Sequence, residues 1–242
     1  MNMATNFQPL HNETHKSVKI GPIKNVADLK DQHALGLVVQ EFANAASEFP
    51  VVFLKDNSAD KYFPVAMLGI EQNTNVFVTE DNRWDANYMP ARYTHKPLSV
   101  IPHKDDKNKF AIAIDLESPL VEEEGLPLFD DEGKETEHLE KRKQALMSYI
   151  EHEQITLAFI EALERFELIQ PKNLKVNLKG KELNLNGIFM VDEKKLSELS
   201  DENYLELRKK GYIAAIYAHL SSVNQINKLI ERHVKQTAEE AA

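Results

Sequence analysis

The feature that most restricts the fold is an alternating stretch, LKVNLKGKELNLNGIFMVD, over residues 174–192. Apolar and polar residues alternate on both sides of a Lys-Gly-Lys turn, with Val176 and Leu178 before it and Leu183 after it. A period of two places successive side chains on opposite faces of a strand, and the glycine permits a tight turn. The stretch therefore predicts an antiparallel β-hairpin with one buried face.

Short β-branched segments predict further strands in the first half of the chain. VVFLK (51–55), YFPVAMLGI (62–70) and NVFVTE (75–80) are separated by polar turns, a pattern typical of an antiparallel meander. Pro64 in the second segment predicts an edge strand or a bulge, because proline has no N–H for the sheet. KFAIAIDL (109–116) follows a polar turn, DDKN, and predicts a hairpin with the preceding SVIPHK.

Helices are predicted in five places. HALGLVVQEFANAASEF (33–49) predicts a helix that ends at Pro50, and residues 137–166 predict a long helix. The apolar face of the long helix is off-register near EHEQ, so either the face rotates there or the helix breaks. The C-terminal part predicts a short helix, a helix from a Ser200 cap to Gly211, and a last helix over 212–234. Helices and antiparallel strands in this order predict an α+β fold with a mostly antiparallel sheet.

Length and composition suggest how the chain is organised. It has 242 residues, of which 42% are hydrophobic and 28% charged, an ordinary balance for a globular protein. We expect a polar N-terminal segment over residues 1–30, a single α+β domain over 31–235 and a frayed tail over 236–242.

Charge and cysteine content exclude several kinds of function. The net charge of -10 disfavours nucleic acid or acidic lipid as the main partner. The absence of cysteine excludes disulfides, thiolate catalysis and cysteine-ligated zinc. No apolar run reaches the roughly 20 residues that span a bilayer, and the N-terminus lacks the apolar core of a signal peptide. We therefore expect a cytoplasmic protein, although export by a signal-independent route is compatible with the sequence.

The segment RWDANYMPARYTHKPL, over residues 83–98, contains the single tryptophan of the chain and is the candidate binding site. Arg92 could bind a carboxylate through two hydrogen bonds, and His95 could act as a general base. The aromatic rings of the segment could stack on a sugar, a ring or a peptide. In the alternative interpretation the segment is scaffold, with the indole in the core and the arginine paired with the aspartate. The candidate binding residues are Trp84, Asp85, Tyr88, Arg92, Tyr93 and His95.

No catalytic or cofactor motif is present, so we predict no catalytic residue and no cofactor. The patterns G-x-G-x-x-G, G-x-x-x-x-G-K-[ST] and G-x-S-x-G are all missing. His11 and His15 flank Glu13, but the order differs from H-E-x-x-H and the segment has no helical periodicity, so we predict no metal site. His219 lies on the apolar stripe of the last helix and is predicted to be a hydrogen-bonded core histidine.

The chain resembles the SapC family of bacterial proteins in ordered blocks from about residue 9 to residue 228. The most specific blocks are W-D-x-x-Y-x-P-x-R-Y, from Trp84 to Tyr93, and the block from VDEKKLSELS to AHLSS, which ends at Ser222. The family often has phenylalanine where this chain has Leu98, which indicates an apolar packing position.

The resemblance implies an association with the bacterial surface layer. The same short name is used for a transporter permease, which a chain without a membrane span cannot be. We therefore expect a non-enzymatic accessory protein that binds a protein or peptide during the assembly or modification of surface-layer or envelope components. The alternative is a small-ligand-binding protein or enzyme with its site in the Trp84–His95 segment. Self-association into a homo-oligomer or a layer is a third alternative, and it predicts a large exposed apolar patch.

Overall fold

A computed structural model describes residues 6–102, 110–178 and 181–239 of the chain. The chain divides into two compact units. The small unit comprises the residues up to 24 together with 91–151, and the large unit comprises 25–90 together with 152–242. The α+β class is confirmed, and the single domain over 31–235 stays a prediction.

The strands and helices of both units are numbered in the order in which they occur along the chain. The strands are β1 (Phe7–Pro9), β2 (Lys19–Ile20), β3 (Ala34–Gly36), β4 (Val51–Asp56), β5 (Lys61–Met67), β6 (Leu98–Pro102), β7 (Phe110–Asp115), β8 (Leu126–Pro127), β9 (Ile169–Leu178) and β10 (Lys181–Val191). The α-helices are α1 (Asn12–His15), α2 (Phe42–Ala45), α3 (Ala91–Thr94), α4 (Glu137–Arg165), α5 (Glu193–Ser197), α6 (Asp201–Lys209), α7 (Tyr212–Ser222) and α8 (Gln225–Glu239). None of the helices described here combines the length and the apolar character needed to cross a membrane.

The small unit is built on an antiparallel sheet in the order β1-β7-β6, with β2 paired to β8. The predicted hairpin is confirmed by the pairing of β6 with β7, and its turn lies outside the described residues. Leu98 is 4% exposed in the core, as expected for an apolar packing position. The core of the small unit is formed by Ile20, Leu98, Ile114, Leu120, Leu128, Phe129, Leu139 and Leu146.

The large unit contains a five-stranded antiparallel sheet in the order β3-β5-β4-β10-β9. The predicted hairpin over 174–192 is confirmed as the β9–β10 pair, which begins earlier, at Ile169. A bulge interrupts its register between Leu185 and Ile188, where Gly187 has a φ of +78°. Glycine adopts this left-handed conformation without the steric cost that a side chain would impose. β9 is left at one edge of the sheet.

Pro64 lies inside the sheet rather than at an edge, because β5 pairs with both β3 and β4. The neighbouring strand β3 is only three residues long and ends at Gly36, opposite Val65. The Pro64 carbonyl accepts from the backbone N–H of Leu37, so its ring nitrogen also points to the side on which β3 has ended. The missing N–H therefore removes no bond between β5 and β4, and it falls where the pairing with β3 has ended.

The prediction of a helix over 33–49 is wrong for its first half. Residues 34–36 form β3, and a 3₁₀ turn over 39–41 leads into the short helix α2. Leu35, Leu37 and Val38 are all buried, so this run has no polar face. A continuous apolar run of this length does not distinguish a strand from a helix by its period.

The strand predicted over 75–80 is absent from the described residues, where only an isolated bridge joins Val78 to Trp84. In this segment the buried side chain of Asn75 forms hydrogen bonds with backbone groups in place of a neighbouring strand. Its Nδ2 donates to the carbonyl of Leu29, and its Oδ1 accepts from the N–H of Phe77, both at 2.9 Å. Asparagine side chains compete with the sheet for backbone groups in this way.

The helix α4 is continuous through EHEQ, so the apolar face rotates and the helix does not break. Leu139 and Leu146 are buried in the small unit, whereas Phe159 and Leu163 are buried in the large unit. Each half of the helix therefore keeps its own apolar face, which explains the off-register step in the sequence.

The caps of the C-terminal helices agree with the sequence. The Ser200 side chain accepts from the N–H of Asn203 at the start of α6, and Gly211 has a φ of +76° after its end. The prediction of a single last helix over 212–234 is wrong, because the chain forms two helices there, α7 and α8. The Ser222 hydroxyl donates to the carbonyl of His219 at 2.6 Å, three residues earlier, and competes with the backbone at this break.

Candidate functional site

The candidate segment is divided between the two units. Trp84, Asp85 and Tyr88 belong to the large unit. The other three candidates belong to the small unit, and they are Arg92, Tyr93 and His95.

Trp84 is half-buried rather than a fully buried core residue. Its ring centroid lies 6.0 Å from that of Phe49 and 5.9 Å from that of Phe77. The indole Nε1 donates to the carbonyl of Tyr88 at 2.9 Å, which closes the loop on itself. The indole therefore shapes this loop and covers two fully buried phenylalanines.

Asp85 pairs with Arg232 of α8, and not with Arg92 as the scaffold alternative supposed. The Arg232 Nη1 and the Asp85 Oδ2 are 2.6 Å apart. The guanidinium carbon lies 4.6 Å from the centroid of the Phe77 ring, so the arginine also stacks on the aromatic cluster. No local sequence signal could identify this pairing, because the two residues are 147 positions apart.

Tyr88 is held by a buried carboxylate. Its hydroxyl donates to the Glu41 Oε1 at 2.6 Å, and the Glu41 Oε2 accepts from the N–H of Val38 at 2.9 Å. Glu41 is only 5% exposed, so the tyrosine hydroxyl satisfies a carboxylate that is shielded from water. The polar atoms of this half of the segment are thus engaged in contacts that fix its shape.

A second buried carboxylate, Glu48, ties the same loop to α8. It accepts from the Asn87 side chain at 2.7 Å and from the Lys228 Nζ at 2.8 Å. The hydrogen bond from Lys228 lowers the pKa of Glu48 below its ordinary value, against the opposing effect of burial. The carboxylate is therefore charged at neutral pH.

Replacing Lys228 with methionine is expected to destabilise the protein by about 2 kcal/mol at pH 7, because Glu48 would lose its positive partner. Since the pKa of Glu48 is lowered by folding, this pairing stabilises above the ordinary pKa of 4.5 and is lost as the pH falls further. Urea unfolding of the wild type and the variant at pH 7 and at a pH below 4.5 would measure how the loss of stability depends on pH. An equal loss at low pH would contradict the assignment.

Replacing Trp84 with alanine is expected to cost about 2–3 kcal/mol of unfolding free energy, because the contacts with Phe49 and Phe77 are lost from a half-buried position. A phenylalanine at the same position keeps a ring and should cost less. Urea unfolding monitored by far-UV circular dichroism measures both variants. An alanine variant as stable as the wild type would show that the indole has no structural role.

The second half of the segment contains the short helix α3 and lies in the small unit. Arg92 is exposed and Tyr93 is buried, with the Lys96 Nζ 4.5 Å from the Tyr93 ring centroid. The half-buried ring of His95 lies 4.9 Å from that of Tyr149. Burial and the charge of Arg142 lower the pKa of His95, so its imidazole is neutral at pH 7.

Arg142 of α4 holds the end of this segment. One terminal nitrogen of its guanidinium donates to the carbonyl of His95 at 3.1 Å and also to the carbonyl of Lys96. His138, one turn earlier on α4, also has a pKa lowered first by burial and then by the charge of Arg142. Neither His138 nor Arg142 is among the residues predicted from the sequence, although their four-residue spacing places them on one face of the predicted helix.

Within the described ranges, no three histidine or acidic side chains are grouped in a way that could hold a metal ion. The HNETH segment forms the short helix α1, and His15 is buried. The His15 Nδ1 accepts from the backbone N–H of His11 at 3.0 Å, so this histidine has a local capping contact.

His219 is a hydrogen-bonded core histidine, as the sequence predicted. It is fully buried between β4 and β10, which share only the Phe189–Phe53 pair in their ladder. Its Nε2 accepts from the N–H of Val191 at 3.1 Å, which places the proton on Nδ1, 2.7 Å from the carbonyl of Val51. The imidazole therefore bridges the two strands where their own pairing ends.

Ser222 completes this bridge one turn later on α7. Its hydroxyl oxygen accepts from the N–H of Val51 at 2.9 Å. The AHLSS block thus supplies two side chains that satisfy backbone groups of the sheet. Its role in this structure is to fix α7 on β4 and β10.

The large unit also has two open depressions on its surface. One is a polar cleft of about 530 Å³, bordered by Asp85 and Arg232. The other is a groove of about 550 Å³ between β9 and α8, where Leu174 and Val176 face Ile226 and Ile230. Since β9 is an edge strand, this second depression combines an open sheet edge with a groove that apolar side chains line together with Lys175, Asn227 and Glu231.

The comparisons with known proteins give one finding. No curated protein and no solved structure matched the chain. The family model for SapC matches residues 10–229, which include both halves of the candidate segment and the AHLSS block. Because this match covers most of the 242 residues, the chain belongs to the SapC family.

Proposed function

We propose that this protein is a non-enzymatic accessory protein that binds an extended segment of a partner protein at the groove between β9 and α8. The surface-layer association implied by the SapC resemblance suggests that the partner is a surface-layer or envelope component during its assembly or modification. The observation that carries the proposal is the edge position of β9 beside an apolar groove.

An edge strand offers backbone groups that another strand can pair with. In the described part of the chain β9 pairs with β10 alone, and it is ten residues long. A peptide added to such an edge gains main-chain hydrogen bonds, while the neighbouring groove accepts alternate side chains. Leu174 on the strand and Ile226 and Ile230 on the helix are half-buried and offer apolar surface to those side chains, whereas Val176 is only 3% exposed.

The charge of the strand favours a partner segment with acidic residues over a second copy of this chain. β9 contains Lys172 and Lys175 and no acidic residue. Edge lysines oppose the pairing of two identical edges, because like charges are then brought close together. An extended segment with acidic residues beside apolar ones matches both the lysines and the groove, whose rim also carries Glu231.

The contacts of the Trp84–Tyr88 loop support a binding role rather than catalysis by that loop. Asp85 is paired with Arg232 of α8, and the Tyr88 hydroxyl is bonded to Glu41. The adjoining Glu48 is bonded to Lys228, also on α8. The loop therefore anchors the helix that forms one wall of the groove.

Site-specific photo-crosslinking in the native cells tests the proposal. A benzoylphenylalanine at Ile230 is placed in the groove, and one at the exposed Ala238 of the same helix is the matched control. We expect an adduct at position 230 that is missing at 238, and its crosslinked peptide should come from a segment with acidic and apolar residues. Replacing Ile226 with aspartate should abolish the adduct, because a charge then occupies the apolar wall.

Two results would contradict the proposal. One is the same adduct pattern at both positions, which would place the partner elsewhere. The other is an adduct between two copies of this chain, which would make the groove a self-association surface. A thermal melt of each variant shows whether the fold is retained.

A further inference from the structure

Three buried nitrogen atoms in the small unit have no hydrogen-bond partner among the residues that the structure describes. They are the Nε2 of His95, the Nε2 of His138 and the Nε of Arg142. Buried polar atoms without partners are rare in folded proteins, because each loses its bonds to water without a replacement. Their grouping around one guanidinium indicates a site rather than three unrelated defects.

The fold fixes the position of this guanidinium. Arg142 donates through one terminal nitrogen to the carbonyls of His95 and Lys96, which follow α3. These contacts hold the arginine beside His95, and the helical spacing places His138 one turn away on the same side of α4. The Nε of Arg142 takes no part in them.

Within the described ranges no carboxylate forms an ion pair with Arg142, and burial lowers the pKa of its guanidinium with no neighbouring acid to oppose it. A guanidinium shielded from water is costly unless an opposite charge and hydrogen-bond acceptors accompany it. The backbone carbonyls provide acceptors but no net charge. An anion would supply both the missing charge and the missing acceptors.

We propose that His95, His138 and Arg142 form a binding site for a small oxyanion group, either a phosphate or a carboxylate. The Nε of arginine is a permanent donor, and each neutral imidazole donates from the nitrogen that carries its proton. Hydrogen bonds from a charged donor to an anionic oxygen are about twice as strong as those between neutral groups. This inference is independent of the groove on the large unit.

The protonation of the two histidines is compatible with this role. Burial and the nearby charge of Arg142 lower the pKa of both rings, so each is neutral at pH 7. The site therefore carries one positive charge from Arg142, and each neutral imidazole donates to an anion in the tautomer that carries its proton on Nε2. It does not need protonated histidine to attract an anion.

Ring nitrogen chemical shifts of the full chain, measured by NMR, test the site with sodium phosphate and with sodium acetate. Sodium chloride at matched ionic strength is the reference. We expect the Nε2 resonances of His95 and His138 to shift saturably with one of the two anions. The ring of His219 should not shift, because both of its nitrogens are already bonded within the core. Saturation by phosphate identifies a phosphate group, and saturation by acetate identifies a carboxylate.

The variant His138→Leu removes the imidazole, and with it one of the three unpartnered nitrogens, and leaves the contacts of Arg142 with the carbonyls in place. It is expected to weaken anion binding by about tenfold or more. His152→Leu, at another half-buried histidine of α4, is the control and should leave the affinity unchanged. The proposal is overturned if neither anion gives a saturable shift up to about 10 mM, ten times a Kd of 1 mM. An affinity that is unchanged in His138→Leu would also overturn it.

Discussion

Replacing His219 with alanine is expected to lower the free energy of unfolding by about 3–5 kcal/mol. The histidine is fully buried, and its two ring nitrogens satisfy the carbonyl of Val51 and the N–H of Val191. Alanine would leave both backbone groups unpaired and would open a cavity beside Phe53, whose ring lies 4.9 Å from the imidazole. Urea unfolding monitored by circular dichroism measures the change.

The control for this variant lies on the same helix. Ser221 is exposed on α7, and Ser221→Ala should stay within about 0.5 kcal/mol of the wild type. If His219→Ala unfolds at the same urea concentration as the control, the bridge between β4 and β10 does not exist as described.

The same histidine should make stability depend on pH. Burial lowers the pKa of His219 from 6.5 to about 4, so the folded protein keeps the ring neutral while the unfolded chain takes up a proton. The stabilising effect is complete above about pH 6.5 and is lost as the pH falls towards 4. A difference of this size corresponds to about 3 kcal/mol.

A comparison with His219→Gln isolates this effect from the titration of the carboxylates. Glutamine does not titrate, so the difference in unfolding free energy between the wild type and this variant should shrink by about 3 kcal/mol from pH 7 to pH 4. A difference that is constant over that range would show that His219 titrates alike in the folded and unfolded states.

Periodicity correctly identified the elements whose pattern is local. The β9–β10 hairpin alternates over residues 174–185, before its bulge, and α4 has helical spacing in each half, so both were predictable from their own residues. The segment over 33–49 failed because Leu35, Leu37 and Val38 are all buried, which removes the polar face that distinguishes the two periods.

The candidate segment was located by its composition, but its contacts depend on residues far along the chain. Asp85 pairs with Arg232 of α8, and Arg142 of α4 holds the carbonyl of His95. A single sequence contains no signal for such long-range pairs. Likewise, the hairpin was predictable, but the edge position of β9 follows from the order of the whole sheet.

The surface at β9 and the cluster at Arg142 would serve different kinds of ligand. The groove presents a sheet edge and apolar walls, which suit an extended polypeptide. The cluster presents buried donors around one positive charge, which suit a small anion. Variants at Ile226 and at His138 separate the two, because each changes one unit of the chain and leaves the other intact.

The most direct test of the binding role is amide hydrogen exchange of the protein with and without the partner segment found by crosslinking. Strand addition predicts that amides of β9 exchange more slowly when the segment is bound, since they then donate to a new strand. The amides of β3, at the opposite edge of the same sheet, should be unchanged. Protection of β9 alone would establish the sheet edge as the binding surface. Unchanged exchange at β9 in the presence of a saturating segment would contradict it.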